Sequence, residues 1–296
     1  MANHIGQSRR RSLRRRRFKI VAFSFFLVIF LLSSTMALKT VIESSKAKSD
    51  YSELPALMRQ AEYENTVVAT KNEAEPAVTN ETGLNVAEKP AVADAEPPII
   101  IQRQKTSMDF SALKEINPDI IGWIRAEGTN IDYPIAQTDN NEYYLNHLYN
   151  KDWNSNGTIF ADYRNTGDFS DRNTVIYGHH MRDLSMFGTL DEYNDKSYID
   201  AHRYVYYYTA HHSYRYRIVG VVERGSDNVM YKYSGTIEGQ GDFSDFVNDF
   251  NMGTFGDGWK EEGFMASSDD HFLLLSTCVR GSSHREIVVA VREEVL

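Results

Sequence analysis

Phe272-Leu273-Leu274-Leu275-Ser276-Thr277-Cys278 is an uncharged run without glycine or proline, and it carries the chain's only cysteine at its end. A short apolar run of this length reads as a buried strand. With one cysteine, an intramolecular disulfide framework and any CxxC metal or redox site within this chain are excluded. A thiol does nucleophilic work as its thiolate, so it needs a base or a cation nearby. A second apolar run, Thr174-Val175-Ile176-Tyr177, leads through Gly178 to His179 and His180, which offers an imidazole at a strand tip. Arg285 lies seven residues past Cys278, at the start of a third run over 286–292. If Cys278 and Arg285 flank a tight hairpin, both side chains reach one cleft, where a guanidinium can neutralise an oxyanion. Taken alone, a cysteine ending an apolar strand is more often a small buried hydrophobe. The histidine and arginine contexts turn it into a candidate nucleophile.

Outward from this core, further β-rich runs bounded by turn residues occur at 120–124, 130–136, 158–163, 204–209 and 214–223, which brings the expected strands to eight. Residues 204–209 and 214–223, joined by Ala210-His211-His212-Ser213, predict a hairpin with alternating faces. Helices are expected at 110–116, 140–148, 186–193 and 243–250. Many short strands with a few helices in the connections predict a closed β-barrel with helical insertions.

The rest of the chain divides by composition. Of 296 residues, 42% are hydrophobic and the formal net charge is -9. Eight of the basic residues are Arg9 to Arg11, Arg14 to Arg17 and Lys19, with no acid before them; without them 24 basic residues face 41 acidic ones. The body is acidic, which argues against nucleic acid as a partner. Residues 20–38 carry no charge and are rich in Phe, Ile, Leu and Val. As a helix they would extend roughly 28 Å, about the thickness of a bilayer's hydrocarbon. The positive-inside rule then keeps residues 1–19 cytoplasmic and sends the remainder outside. The competing reading, a cleaved signal with small residues near Thr35-Met36-Ala37, suits a shorter apolar region. An Arg-rich nucleic-acid tail would not need to abut an apolar span.

Residues 39–107 hold five of the seven prolines and only two aromatics, Tyr51 and Tyr63, a composition that reads as a disordered stalk with short helix near 51–63. Asn80-Glu81-Thr82 matches a glycosylation acceptor without further support. Residues 108–296 hold 29 of the 36 aromatics and all three tryptophans, so the folded core belongs there.

Leu275-Ser276-Thr277-Cys278, the arginine on the next strand and the upstream Gly178-His179 together resemble the sortases, membrane-anchored cysteine transpeptidases of Gram-positive bacteria. Two further stretches resemble class B members: Asn117-Pro118-Asp119-Ile120-Ile121-Gly122-Trp123-Ile124 leading to Thr129 through Ile135, and Asn173 through Met186-Phe187-Gly188. The resemblance covers 110–292. It implies an eight-stranded sortase barrel with an N-terminal helical segment and a helix before the cysteine strand. It also implies that Cys278 attacks the carbonyl after the threonine of a sorting signal to form a thioacyl enzyme. His179 would protonate the leaving amine and deprotonate the incoming one, and Arg285 would hold substrate and oxyanion. Tyr177, Ser276 and Thr277 would help bind substrate. The implied partners are the sorting-signal peptide of a secreted surface protein and an amine of a peptidoglycan precursor or a pilin; no cofactor is implied.

Other readings attach to the same residues. His180 competes with His179, and Arg280 with Arg285; since neighbouring strand residues point to opposite sides, only one of the two histidines should face the cysteine. His179, His180, His202, His211 and His212 suggest a metal only if a carboxylate stands at ligand spacing, and none does in the sequence. The tyrosines at 204, 206, 207, 208, 214 and 216 are explained by cross-strand pairing on a half-buried sheet. Asp242, Asp245 and Asp249 read as a helix's wet face. Cys278-Val279-Arg280 also resembles the cysteine motif of L,D-transpeptidases, but those have His-Gly before the cysteine, where this chain has Ser276-Thr277. A membrane-tethered barrel that binds without catalysis is the alternative from another class.

Overall fold

A computed structural model describes residues 2–72, 110–225, 243–278 and 284–295, in two compact units, 1–50 and 51–296. The first unit is the leading part of a helix, α1 (Ala2–Asn72), with Pro55 inside it. Its apolar side chains, Phe23, Phe26, Phe30 and Leu32 among them, are exposed, and the helix is long and apolar enough to cross a membrane. The expected span at 20–38 falls within it. The helix continues into the stretch read as a stalk, of which 73–109 lie outside the described residues. In the second unit, Tyr51 of α1 is buried: its ring meets Tyr133 edge-on at 5.4 Å, and its hydroxyl donates to the Gly157 carbonyl at 3.0 Å.

Among its described residues the second unit has nine strands: β1 (Ile120–Ala126), β2 (Asp132–Ala136), β3 (Phe160–Ala161), β4 (Asn173–Tyr177), β5 (Tyr204–Tyr208), β6 (Ser213–Gly225), β7 (Asp257–Lys260), β8 (Phe272–Cys278) and β9 (His284–Val295). They run in the order β5-β1-β2-β3-β4-β8-β9-β6-β7, and β5 also pairs with β6. That last pairing closes eight of the nine strands into a barrel and abolishes its free edges. β6 makes this possible by its length. Its first half holds β5, its second half holds β7, and its other edge pairs with β9 throughout. The eight expected strands are the barrel strands, and 204–208 with 213–217 form the expected hairpin.

Four elements depart from the sequence reading. The helix expected at 140–148 is reduced to a 3-10 turn, Tyr143–Leu145, because the Asn140 side chain accepts from the amides of Glu142 and Tyr143 and fixes a tight turn there. The one expected at 186–193 is a 3-10 segment, Gly188–Asn194. The short helix α3 (Lys196–Ala201) was not expected, nor was β7. The helices at 111–116 (α2, Ser111–Ile116) and 243–252 (α4, Phe243–Met252) match expectation, except that Asp242 lies outside the described residues.

α4 is amphipathic. Phe246, Val247 and Phe250 face the sheet, and Asp245 is exposed. Phe246 is fully buried against Phe250, Phe255 and Phe272, and the cluster extends through Val175, Leu274, Ile287 and Val289. Strand alternation therefore assigns positions 175 and 177 of β4, 272 and 274 of β8, and 287 and 289 of β9 to one helix-covered face. Removing a fully buried Phe ring costs about 3–5 kcal/mol. Phe246→Ala should lower stability by that amount, read as a lower guanidinium midpoint of the full chain in micelles; an unchanged midpoint would show that α4 does not anchor this face.

Candidate active site

β4, β8 and β9 lie side by side with their chemistry-bearing ends together. β4 and β8 pair in parallel from Asn173↔Phe272 to Tyr177↔Ser276, and β8 and β9 pair antiparallel up to Cys278↔Arg285. The β4–β8 ladder runs on past its last rung. The Gly178 amide donates to the Ser276 carbonyl at 3.2 Å, and the Thr277 hydroxyl donates to the Gly178 carbonyl at 2.9 Å. His179 follows Gly178 directly, and Cys278 follows Thr277 as the last residue of β8. Positions 278 and 285 are cross-strand partners at this end of the barrel and share the parity of the helix-covered face, and His179 lies two residues past the end of the neighbouring β4. Neighbouring strands are about 5 Å apart, so the three backbones lie within one substrate's width.

The two histidines separate as alternation requires. His179 directs its Nε2 to the main-chain carbonyl of Leu145 at 2.8 Å. His180 turns the other way and pairs its Nε2 with Asp191 at 2.6 Å. Gly178 between β4 and these residues is needed for packing, since a Cβ there would lie 2.7 Å from the Phe187 ring. Arg285 is half-buried, and Arg280 lies outside the described residues. His211 and His212 are exposed in their turn, and among the described residues no group of His, Cys, Asp and Glu is placed to hold a metal ion.

The three further candidates are buried. Tyr177 donates to Asp162 at 2.8 Å, Thr277 spends its hydroxyl on Gly178, and Ser276 is enclosed with its Oγ unpartnered. Asp162 was not singled out from sequence, yet it anchors this wall. It is fully buried, and Arg164 grips it through Nε at 2.7 Å and Nη2 at 2.6 Å. Burial alone would raise its carboxyl, but the hydrogen bonds from Arg164 and Tyr177 outweigh it and hold the group below the usual aspartate range.

Behind the candidate trio runs a second row of side chains. Asp257 of β7, Glu223 of β6 and Glu286 of β9 are direct cross-strand partners, and Glu286 stands opposite Thr277. One rung further, Arg224 stands opposite Arg285, with its guanidinium 4.6 Å from the centre of the Phe255 ring. On these two adjacent rungs the acidic and the basic residues therefore fall on opposite faces. Asn194, Glu223, Asp257, Gly258, His284 and Glu286 line a cavity of about 420 Å³ on the acidic side.

Glu286 is buried, with Oε2 accepting from Asn194 at 3.1 Å and Oε1 unpartnered. Burial pushes its carboxyl up to about 7; the Asn194 amide opposes the rise, and the carboxylate of Asp191 adds to it. The folded state thus prefers the protonated acid. That preference contributes fully below the ordinary glutamate range and is lost as pH rises through about 7. Glu286→Gln, which cannot ionise, should therefore lack this part of the decline in Tm between about pH 5 and pH 8 and gain on the parent at the alkaline end. Parallel Tm curves for the two proteins would show that Glu286 is not the group responsible.

The sortase domain family matches residues 124–293, more than half the chain. The chain is 37% identical over 166 residues to sortase B of Listeria monocytogenes; the match covers 56% of this chain and 65% of that protein, just under two thirds of its length. Among solved structures, Clostridium perfringens sortase B is 30% identical with a TM-score of 0.56, covering 63% of this chain and all of that one. A Staphylococcus aureus sortase B-substrate complex is 26% identical with a TM-score of 0.55, covering 62% and 84%. The closed eight-stranded barrel agrees with these matches, and the chain belongs to the sortase family, with sortase B proteins as its relatives.

Proposed function

We propose that this chain is a membrane-anchored cysteine transpeptidase of the sortase B kind, with Cys278 as nucleophile, His179 as general acid and base, and Arg285 as the cation that holds substrate and oxyanion. The observation that supports this reading is the register of β4, β8 and β9, in which Cys278 pairs with Arg285 and Tyr177, two residues before His179, pairs with Ser276, two residues before Cys278. In the first half-reaction the Cys278 thiolate adds to the carbonyl after the threonine of a sorting signal. Arg285 neutralises the oxyanion, and the C–N bond breaks as the imidazolium of His179 gives its proton to the leaving amine. In the second, an amine adds to the thioacyl carbonyl, His179 takes its proton, and the C–S bond breaks to return the thiolate. The substrate in the Staphylococcus aureus complex supports a peptide donor. An amine of a peptidoglycan precursor or a pilin lysine is the proposed acceptor.

Tyr177, Ser276 and Thr277 lie beneath the substrate in this proposal, forming the wall against which the trio is held. The Arg-rich segment 1–19 stays cytoplasmic, the apolar span crosses the membrane at 20–38, residues 39–107 act as the stalk and 108–296 work outside. The full chain in nanodiscs, given a peptide library containing threonine and an amine acceptor, should show a thioacyl adduct on Cys278 by intact mass and a transfer product. Cys278→Ala should show neither, and His179→Ala or Arg285→Ala should slow transfer on the order of 10²-fold or more. Cleavage that survives in Cys278→Ala would sink the thioacyl mechanism, and peptide binding without cleavage in the parent would favour a binding module.

A further inference from the structure

In this arrangement His179 is the candidate base, yet among the described residues no carboxylate is hydrogen-bonded to its ring. Its Nε2 instead meets the main-chain oxygen of Leu145 at 2.8 Å, a length in the range of a charge-assisted hydrogen bond. A carbonyl oxygen can only accept. The nitrogen facing it must therefore carry a proton in both the neutral and the charged imidazole, and that leaves the other ring nitrogen for chemistry.

The carbonyl is held from both sides. The Tyr144 oxygen before it accepts from the Thr158 amide at 2.9 Å, and the Asn146 oxygen after it accepts from the Asn154 amide at 2.8 Å. The Thr158 hydroxyl reaches the His147 oxygen at 2.8 Å. Gly157 closes the contact with φ +59°: a Cβ at this residue would lie 2.5 Å from the Tyr144 oxygen and 2.8 Å from that of Leu145. On the far side, Gly157 accepts from the Tyr51 hydroxyl. The turn at 143–145 and the segment 154–158 thus form one braced unit that presents a single fixed acceptor to His179.

We propose that the Leu145 carbonyl is the positioning partner of His179, holding the ring by Nε2–H so that Nδ1 is the nitrogen that exchanges protons in both half-reactions. The inference rests on the transpeptidase reading. When the C–N bond breaks, Nδ1–H gives its proton to the leaving amine and the neutral ring keeps the proton on Nε2. When the incoming amine attacks, Nδ1 takes a proton and the thiolate leaves. The proton on Nε2 stays in place throughout, donated to Leu145, and the ring does not need to flip between steps. Among the described residues this adds to the trio an orienting partner for His179, a main-chain dipole where other thiol and serine enzymes use a side chain.

The test reads the tautomer directly. The full chain carrying Cys278→Ala, labelled with ¹⁵N-histidine and held in nanodiscs above the ordinary histidine range, should show a His179 signal protonated on Nε2 and bare on Nδ1, assigned by its loss in His179→Gln. Nδ1–H as the dominant form would overturn the proposal. In the parent background, Gly157→Ala displaces the carbonyl without touching thiol, imidazole or guanidinium. It should mix the two tautomers and lower kcat by about tenfold or more with KM within about twofold. A folded Gly157→Ala chain with the parent's kcat and a single tautomer would also overturn it. The tautomer measurement on Cys278→Ala decides alone if Gly157→Ala does not fold. Because that measurement uses no substrate, an Nε2–H ring in a chain whose thiol never acylates would sink the transpeptidase reading and leave the positioning contact standing.

Discussion

The parallel ladder between β4 and β8 is the constraint on which the rest of the site depends. Its partners are about a hundred residues apart in sequence, and nothing local brings them together. Once Asn173 stands opposite Phe272, each following rung is fixed up to Tyr177 opposite Ser276, two residues before the histidine on one side and the cysteine on the other. The antiparallel β8–β9 pairing then sets the arginine position by the same logic. Three chemical groups are positioned by backbone hydrogen bonding, which is stiffer than any side-chain contact among them. Buried residues do the remaining work: the Asp162–Arg164 pair and Tyr177 hold the wall, and the Phe246 cluster holds its outer face.

The strands were legible because their signals are strong. Phe272 to Leu275, Thr174 to Tyr177 and the tyrosine-rich hairpin carry apolar or aromatic side chains at the positions the barrel buries. The elements that escaped are those in which tertiary context overrides local preference. Asp257-Gly258-Trp259-Lys260 has poor strand formers at its start and becomes a strand because the far half of β6 has an open edge. The stretch after Asn140 has helical spacing, but its asparagine side chains satisfy local amides, and Asn141 bonds to Asp162 and the Tyr163 amide. The α3 helix did leave a signal, since the Asp195 carboxylate accepts from the Ser197 amide as a helix cap.

The candidate trio was legible as residue types at strand ends, whereas its surroundings were not. Leu145 has no side-chain chemistry to mark it, and its part is played by a main-chain oxygen 34 residues from His179. Asp162, Arg224 and Glu286 are ordinary charged residues in sequence; only the register shows that one braces Tyr177, another stands beside Arg285 and the third lies behind Thr277. Choosing between His179 and His180 likewise needed their partners, since both follow Gly178 and differ only in which side of the strand they leave from.

The adjacent rungs Glu223–Glu286 and Arg224–Arg285 make strand register an electrostatic setting as well as a packing one. With β9 in its observed register, guanidiniums share the rung of the thiol, while Asp257, Glu223 and Glu286 point to the other side of a wall one residue thick. A slip of β9 by one residue would exchange the two faces and set the Glu286 carboxylate beside Cys278, where it would oppose formation of a thiolate. Misregistered chains would thus be chemically silent as well as misfolded, and a thiol with the proposed role would gain its reactivity only in the correctly closed barrel.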